Sequence, residues 1–144
     1  MDYKDELLNV IKKHEGFSSS VYPDSLGYWT LGYGFCVDKR KNCGITEEEA
    51  SYILNNQLSE AELQLQPYLW FTSLDKVRQG VLIELCFNIG LEGVLKFTQT
   101  IQAISNKDYN LAAKEMLNSL WCQQVGDNRA NNMANRLKTG SYAS

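Results

Sequence analysis

Glu15, Asp24 and Thr30 are the residues of this chain whose types and spacing could do chemistry. They lie in one stretch, EGFSSSVYPDSLGYWTLGYG, at residues 15–34. Cleaving a glycosidic bond takes one carboxylic acid to protonate the leaving oxygen and one carboxylate acting on the other face of the sugar. Glu15 suits the first role, and Asp24, held out by a Pro-Asp turn, suits the second. Thr30 could hold a water together with Asp24. Each residue alone has a plainer reading: a surface glutamate closing a helix, an aspartate bonding nearby amides in its turn, a threonine chosen for β propensity. Their joint spacing, among Tyr28, Trp29, Tyr33 and several glycines, is the specific signal, and it points to carbohydrate hydrolysis.

The elements around these residues must hold them in place. Leu7, Leu8, Val10, Ile11 and His14 recur at helical spacing over residues 3–14, with Asp2 as N-cap and Gly16 as the stop. Glu15 then falls in the last turn of a helix. From Ser18 to Cys36 the glycine-separated Tyr, Trp, Thr, Leu and Phe predict a small antiparallel sheet of two or three strands. Lys39 to Asn42 reads as a solvated turn. Thr46-Glu47-Glu48-Glu49 is a capping box that opens a helix of about 20 residues, roughly 30 Å long, ending near Pro67. After the apolar segment Tyr68 to Phe71, a capped helix is expected to start at Thr72 or Ser73 and run through Leu74, Val77, Val81, Leu82, Leu85 and Cys86. Gly90 and Gly93 should break it. Helical segments are expected over about 98–106, 108–118 and 127–139, with Gly140 as the final cap.

Bulk properties narrow the class. A chain of 144 residues with 44% hydrophobic and 22% charged side chains fits one ordinary globular domain. No apolar run approaches the ~20 residues of a membrane span, so membrane insertion is not expected. The start, MDYKDELLNV, lacks the pattern of a secretory signal, which predicts synthesis in a cytoplasm. A net charge of −3 argues against nucleic acid as a partner. The balance shifts along the chain, however. After residue 95, Lys96, Lys107, Lys114, Arg129, Arg136 and Lys138 face only Asp108, Glu115 and Asp127. Cys36, Cys43, Cys86 and Cys122 show no CxxC pairing and one histidine accompanies them, so no structural metal is expected. Cys86 reads as a core thiol, and Cys36 and Cys43 leave open a local disulfide.

With these residues in view, the chain resembles the phage-type lysozymes of glycoside hydrolase family 24. Glu15, Asp24 and Thr30, followed by Leu31-Gly32-Tyr33-Gly34, resemble that family's catalytic signature. Ser73 to Arg78, Phe87 to Gly90, Gly93 to Phe97, Trp121, Asn128-Arg129-Ala130 and Arg136 to Gly140 follow in the family's order. The resemblance implies an α+β, mostly helical lysozyme-like fold. A small antiparallel sheet lobe (about 16–45) would be joined by a long helix (about 47–66) to a larger helical lobe (about 67–144 with residues 1–15). It implies hydrolysis of the β-1,4 bond between N-acetylmuramic acid and N-acetylglucosamine in peptidoglycan. Glu15 would be the general acid, and Asp24 with Thr30 would direct water in a single displacement that inverts the anomeric centre. Inversion asks for carboxyl groups roughly 6.5–9.5 Å apart. Phe87, Asn88 and Thr100 would line the saccharide cleft, and Arg129 falls where an arginine pairs with the catalytic glutamate. No cofactor is implied, and a monomer released to the cell wall through a holin pore is the expected setting.

Other readings make different demands. A Ser/His/Asp hydrolase built from His14, Ser18 to Ser20 and Asp24 would lack a GxSxG nucleophile elbow. A lytic transglycosylase needs only an acid/base and leaves an anhydro end, whereas Asp24 and Thr30 favour a route through water. A non-catalytic glycan-binding module would not need the intact trio.

Overall fold

The structure, a computed structural model, describes residues 3–23, 25–33, 35–36 and 44–142. Asp2, Asp24, the turn at 39–42 and Cys43 lie outside the described residues, and with them the expected N-cap, the second carboxylate and the local disulfide. The architecture is the α+β one expected, mostly helical with one small antiparallel sheet. Its elements run α1 (Tyr3–Glu15), β1 (Ser18–Pro23), β2 (Trp29–Gly32), β3 (Phe35–Cys36), α2 (Glu47–Leu65), α3 (Leu69–Thr72), α4 (Lys76–Leu95), α5 (Thr98–Ser105), α6 (Tyr109–Leu117), α7 (Leu120–Val125) and α8 (Asp127–Thr139). Contacts divide the chain into two compact units, residues 1–52 and 53–144.

In the first unit, α1 carries Asp5 and Glu6 in its first turn and Lys12, Lys13 and His14 in its last, charges that suit both ends of the helix dipole. It ends at Gly16, which takes the left-handed φ of 70° that a side chain would resist. The Gly16 N–H donates to the Lys12 carbonyl at 3.0 Å. The sheet order is β1-β2-β3, with Tyr22 opposite Thr30, Pro23 opposite Trp29, and Thr30 opposite Cys36. Pro23 is tolerated because β1 is an edge strand. A bulge between Ser18 and Tyr22 shifts the register along β1. The capping box forms as predicted: the Thr46 N–H donates to Glu49 Oε1 and the Glu49 N–H to Thr46 Oγ1, both at 3.1 Å.

The second unit holds the core. Leu65, Phe71, Val81, Leu82, Leu85, Val94, Met116, Met133 and Leu137 are fully buried there, with Trp121 beside them. The core helix starts later than expected. Ser73 is spent on the preceding turn, its Oγ donating to the Leu69 carbonyl at 2.8 Å, and Asp75 is the N-cap of α4, accepting from the Arg78 N–H at 3.2 Å. Buried Gln79 donates to the Phe71 carbonyl at 3.2 Å, satisfying the end of α3. Gly90 breaks α4, with φ 79° and ψ 165°, as expected. Gly93 does not break it. Its place is a close contact, since a Cβ there would meet Ile89 Cγ1 at 2.9 Å. Helix α7, which the sequence pattern did not show, carries Trp121. Arg78 closes α8 by donating from Nε to the Leu137 carbonyl at 2.7 Å and from Nη2 to that of Lys138 at 2.9 Å.

Candidate active site

The first unit carries the trio on which hydrolysis would depend. Glu15 is the last residue of α1 and is exposed, with no ion pair to another described residue. The chain after it is tied to the sheet. Ser18 pairs with Gly32, and the Phe17 ring packs at 5.5 Å from that of Tyr33, over which Lys12 Nζ sits at 5.4 Å. These contacts fix the backbone on either side of Glu15 while leaving its carboxyl free. Thr30 differs: it is 3% exposed on the central strand, and its Oγ1 donates to the Tyr28 carbonyl at 3.0 Å. Its proton is thus used locally, and its oxygen lone pairs remain to accept from a water. Asp24 lies between Pro23, paired with Trp29, and Ser25, and is outside the described residues.

The other four residues lie in the second unit: Phe87 and Arg129 line one groove, Thr100 lines a second, and Asn88 lines neither. Phe87, 40% exposed on α4, and Arg129, on the first turn of α8, share a groove of about 500 Å3 with Leu54, Leu58, Ile83 and Glu84. An exposed aromatic face beside a guanidinium suits a sugar ring that carries polar substituents. The Arg129 Nε donates to Glu84 Oε2 at 3.1 Å, so its carboxylate partner within this unit is Glu84. Thr100, buried at the start of α5, lines a second groove of about 390 Å3 with Phe97, Asn118 and Trp121. Asn88 joins this neighbourhood through Trp121, whose Nε1 donates to Asn88 Oδ1 at 3.0 Å. That bond uses the Asn88 carbonyl and leaves its NH2 as the group able to donate to a ligand.

Two residues that sequence reasoning did not single out as site residues belong with these. Trp121 links Asn88 to the Thr100 groove and meets Phe97 edge-on at 6.1 Å. Glu84 binds two arginines, accepting also from Arg136 Nη2 at 2.5 Å. Its signal was present in Val81-Leu82-Ile83-Glu84-Leu85-Cys86-Phe87, where one carboxylate interrupts an apolar helix and must find a partner. Cys86, two residues on from Glu84, is buried as expected, and burial pushes its thiol above the ordinary range, away from nucleophilic use.

The phage lysozyme family matches this chain over residues 12–139, a span that takes in Glu15, Asp24 and Thr30 as well as Phe87, Asn88, Thr100 and Arg129. The probable T4-type lysozyme 1 of Dictyostelium discoideum is 28% identical, with 92% of this chain and 94% of the relative covered. An endolysin of Acyrthosiphon pisum secondary endosymbiont phage 1 is 26% identical over 81% of this chain and 79% of its own. The pre-baseplate central spike protein of Enterobacteria phage T4 is also 26% identical, but the 96% of this chain that aligns spans only 28% of that protein. The chain belongs to the phage lysozyme family and is a glycoside hydrolase.

Proposed function

We propose that this lysozyme hydrolyses the β-1,4 bond between N-acetylmuramic acid and N-acetylglucosamine in bacterial peptidoglycan, with inversion at the anomeric carbon. The observation that carries the reading is the setting of Glu15: an exposed carboxyl on the last turn of a helix, its flanking backbone anchored to a sheet whose central strand buries Thr30. Glu15 acts as general acid and protonates the glycosidic oxygen. Asp24, with the Thr30 hydroxyl accepting from the same water, directs attack on the far face of the sugar. Phe87, Asn88, Thr100 and Arg129 bind the glycan strand. Residues 1–144 work as one monomeric lysozyme domain, with the cell wall as its place of action and release through a holin pore as its route there. No helix of the described residues is long and apolar enough to cross a membrane.

Mass spectrometry of digested peptidoglycan tests the reaction. Each cut should leave a reducing N-acetylmuramic acid that has gained one water. Anhydro ends in its place would make the enzyme a lytic transglycosylase, and intact strands would make it a binding module.

A further inference from the structure

Glu84 stands at the centre of a small charged cluster that the proposed reaction does not use directly. It projects from α4 with a side chain 29% exposed. Oε2 accepts from Arg129 Nε at 3.1 Å, and Oε1 accepts from Arg136 Nη2 at 2.5 Å. Both oxygens are engaged, so the carboxylate cannot turn without releasing one of its arginines. Arg136 is 9% exposed, its guanidinium lies 5.6 Å from the centre of the Tyr142 ring, and its Nε is buried without a partner among the described residues. It therefore holds Glu84 from the protein side, and Glu84 holds Arg129 from the groove side. Arg129 reaches Glu84 through Nε, and among the described residues neither of its amino groups has a partner, which leaves both for a ligand in the groove lined by Phe87 and Ile83.

We propose that Glu84 is a positioning residue: anchored by Arg136, it fixes the Arg129 guanidinium on the groove wall in the orientation that receives the glycan. The inference rests on the assignment of Arg129 to substrate binding. A loose arginine samples many rotamers, which binding would have to freeze. One already held by a charge-assisted bond meets the substrate with less to lose. A purely structural role is the competing account, because a guanidinium as buried as that of Arg136 requires a carboxylate in any case. That account makes the Arg129 contact incidental.

The two accounts separate in a double-mutant comparison on soluble peptidoglycan fragments, with melting temperatures recorded alongside. Glu84→Gln keeps the shape and one acceptor oxygen for Arg136. It is expected to lower kcat/KM about tenfold, chiefly through KM, as loss of a preorganised binding contact does. Arg129→Ala should lower it at least as far, and Glu84→Gln added to Arg129→Ala should cause no further loss. An equal tenfold loss in the absence of Arg129, or wild-type kcat/KM for Glu84→Gln beside an impaired Arg129→Ala, would overturn the positioning role alone. Full activity in Arg129→Ala would overturn the assignment of Arg129 to substrate, and the inference with it. If Glu84→Gln does not fold, the same comparison is made on Arg136→Met, which no longer has a buried guanidinium to neutralise.

Discussion

The two units of this molecule are held together by different means. Every buried hydrophobic side chain among the described residues lies in 53–144, whereas Thr30 is the single buried residue described in 1–52. The second unit is stabilised by apolar area removed from water. The first is ordered by local devices: a left-handed glycine after α1, a bulged three-stranded sheet, the Phe17–Tyr33 ring contact and a reciprocal capping box. Such devices fix backbone direction while leaving side chains free. Under the proposed mechanism, the acid and the water-directing groups would sit in the locally ordered unit, and the apolar core that supplies stability in the other.

Substitutions that should affect one property and spare the other test that division. Apart from loss of the acid itself, the largest effect is expected for Asp24→Asn, which should lower kcat/KM by about 10²–10⁴-fold, the range for loss of a group directing proton transfer. Its melting temperature should stay near that of the wild type, as calorimetry beside a turbidity assay would show. A mutant that keeps most of the rate would reduce Asp24 to a turn residue. Phe71→Ala should do the reverse. Emptying its fully buried site in the second unit should cost ~3–5 kcal/mol of unfolding free energy in urea titrations, with kcat of the folded enzyme unchanged. A rate loss matching the stability loss would join what the comparison separates.

The smallest effect concerns charge at the start of α4. Burial raises the pKa of Asp75, but the Arg78 N–H, the Arg78 guanidinium bonded at 3.0 Å and its positive charge outweigh burial and hold it below the ordinary 3.8. A carboxylate depressed in the folded state adds stability above its unfolded pKa, and that stability fades as pH falls through the lower folded value. Asn still caps a helix through its one oxygen, so Asp75→Asn removes the charge and the acceptor for the Arg78 guanidinium while keeping the cap. At pH 7 it should cost under ~1 kcal/mol, since the pair is partly exposed and screened. Below pH ~4 the two proteins should converge in stability; a gap that persists to pH 2 would refute the charge as its cause.

Much of this was legible in the sequence where a local signal has a local cause. Gly16, the Thr46–Glu49 box and Gly140 mark boundaries because each meets a backbone need within a few residues of itself. What failed depended on packing. Gly93 looks like a breaker, yet the structure uses it for contact with Ile89. Thr72 and Ser73 look like caps, but the turn ending α3 engages Ser73 first and leaves Asp75 to the next helix. Helix α7 is six residues long, too short to show a period. In α2, Ile53 and Leu54 share helical spacing with Ala61 and Leu65, which predicts one apolar face, yet they are exposed and burial begins only at Ala61 and Leu65. Within the proposed site, the joint spacing of Glu15, Asp24 and Thr30 is visible in one stretch of sequence, while their roles belong to the proposal. Glu84 could not be assigned, because its partners Arg129 and Arg136 lie 45 and 52 residues away in sequence.

If Glu15 supplies the proton, as proposed, Glu15→Gln should abolish catalysis. The substitution keeps size and shape and removes only the transferable proton. Purified mutant and wild type would be compared for clearing of outer-membrane-permeabilised cells, with melting temperatures measured on the same samples. Glu15→Gln should keep the wild-type melting temperature and lose nearly all lytic activity. Wild-type clearing by the mutant would contradict the proposed role.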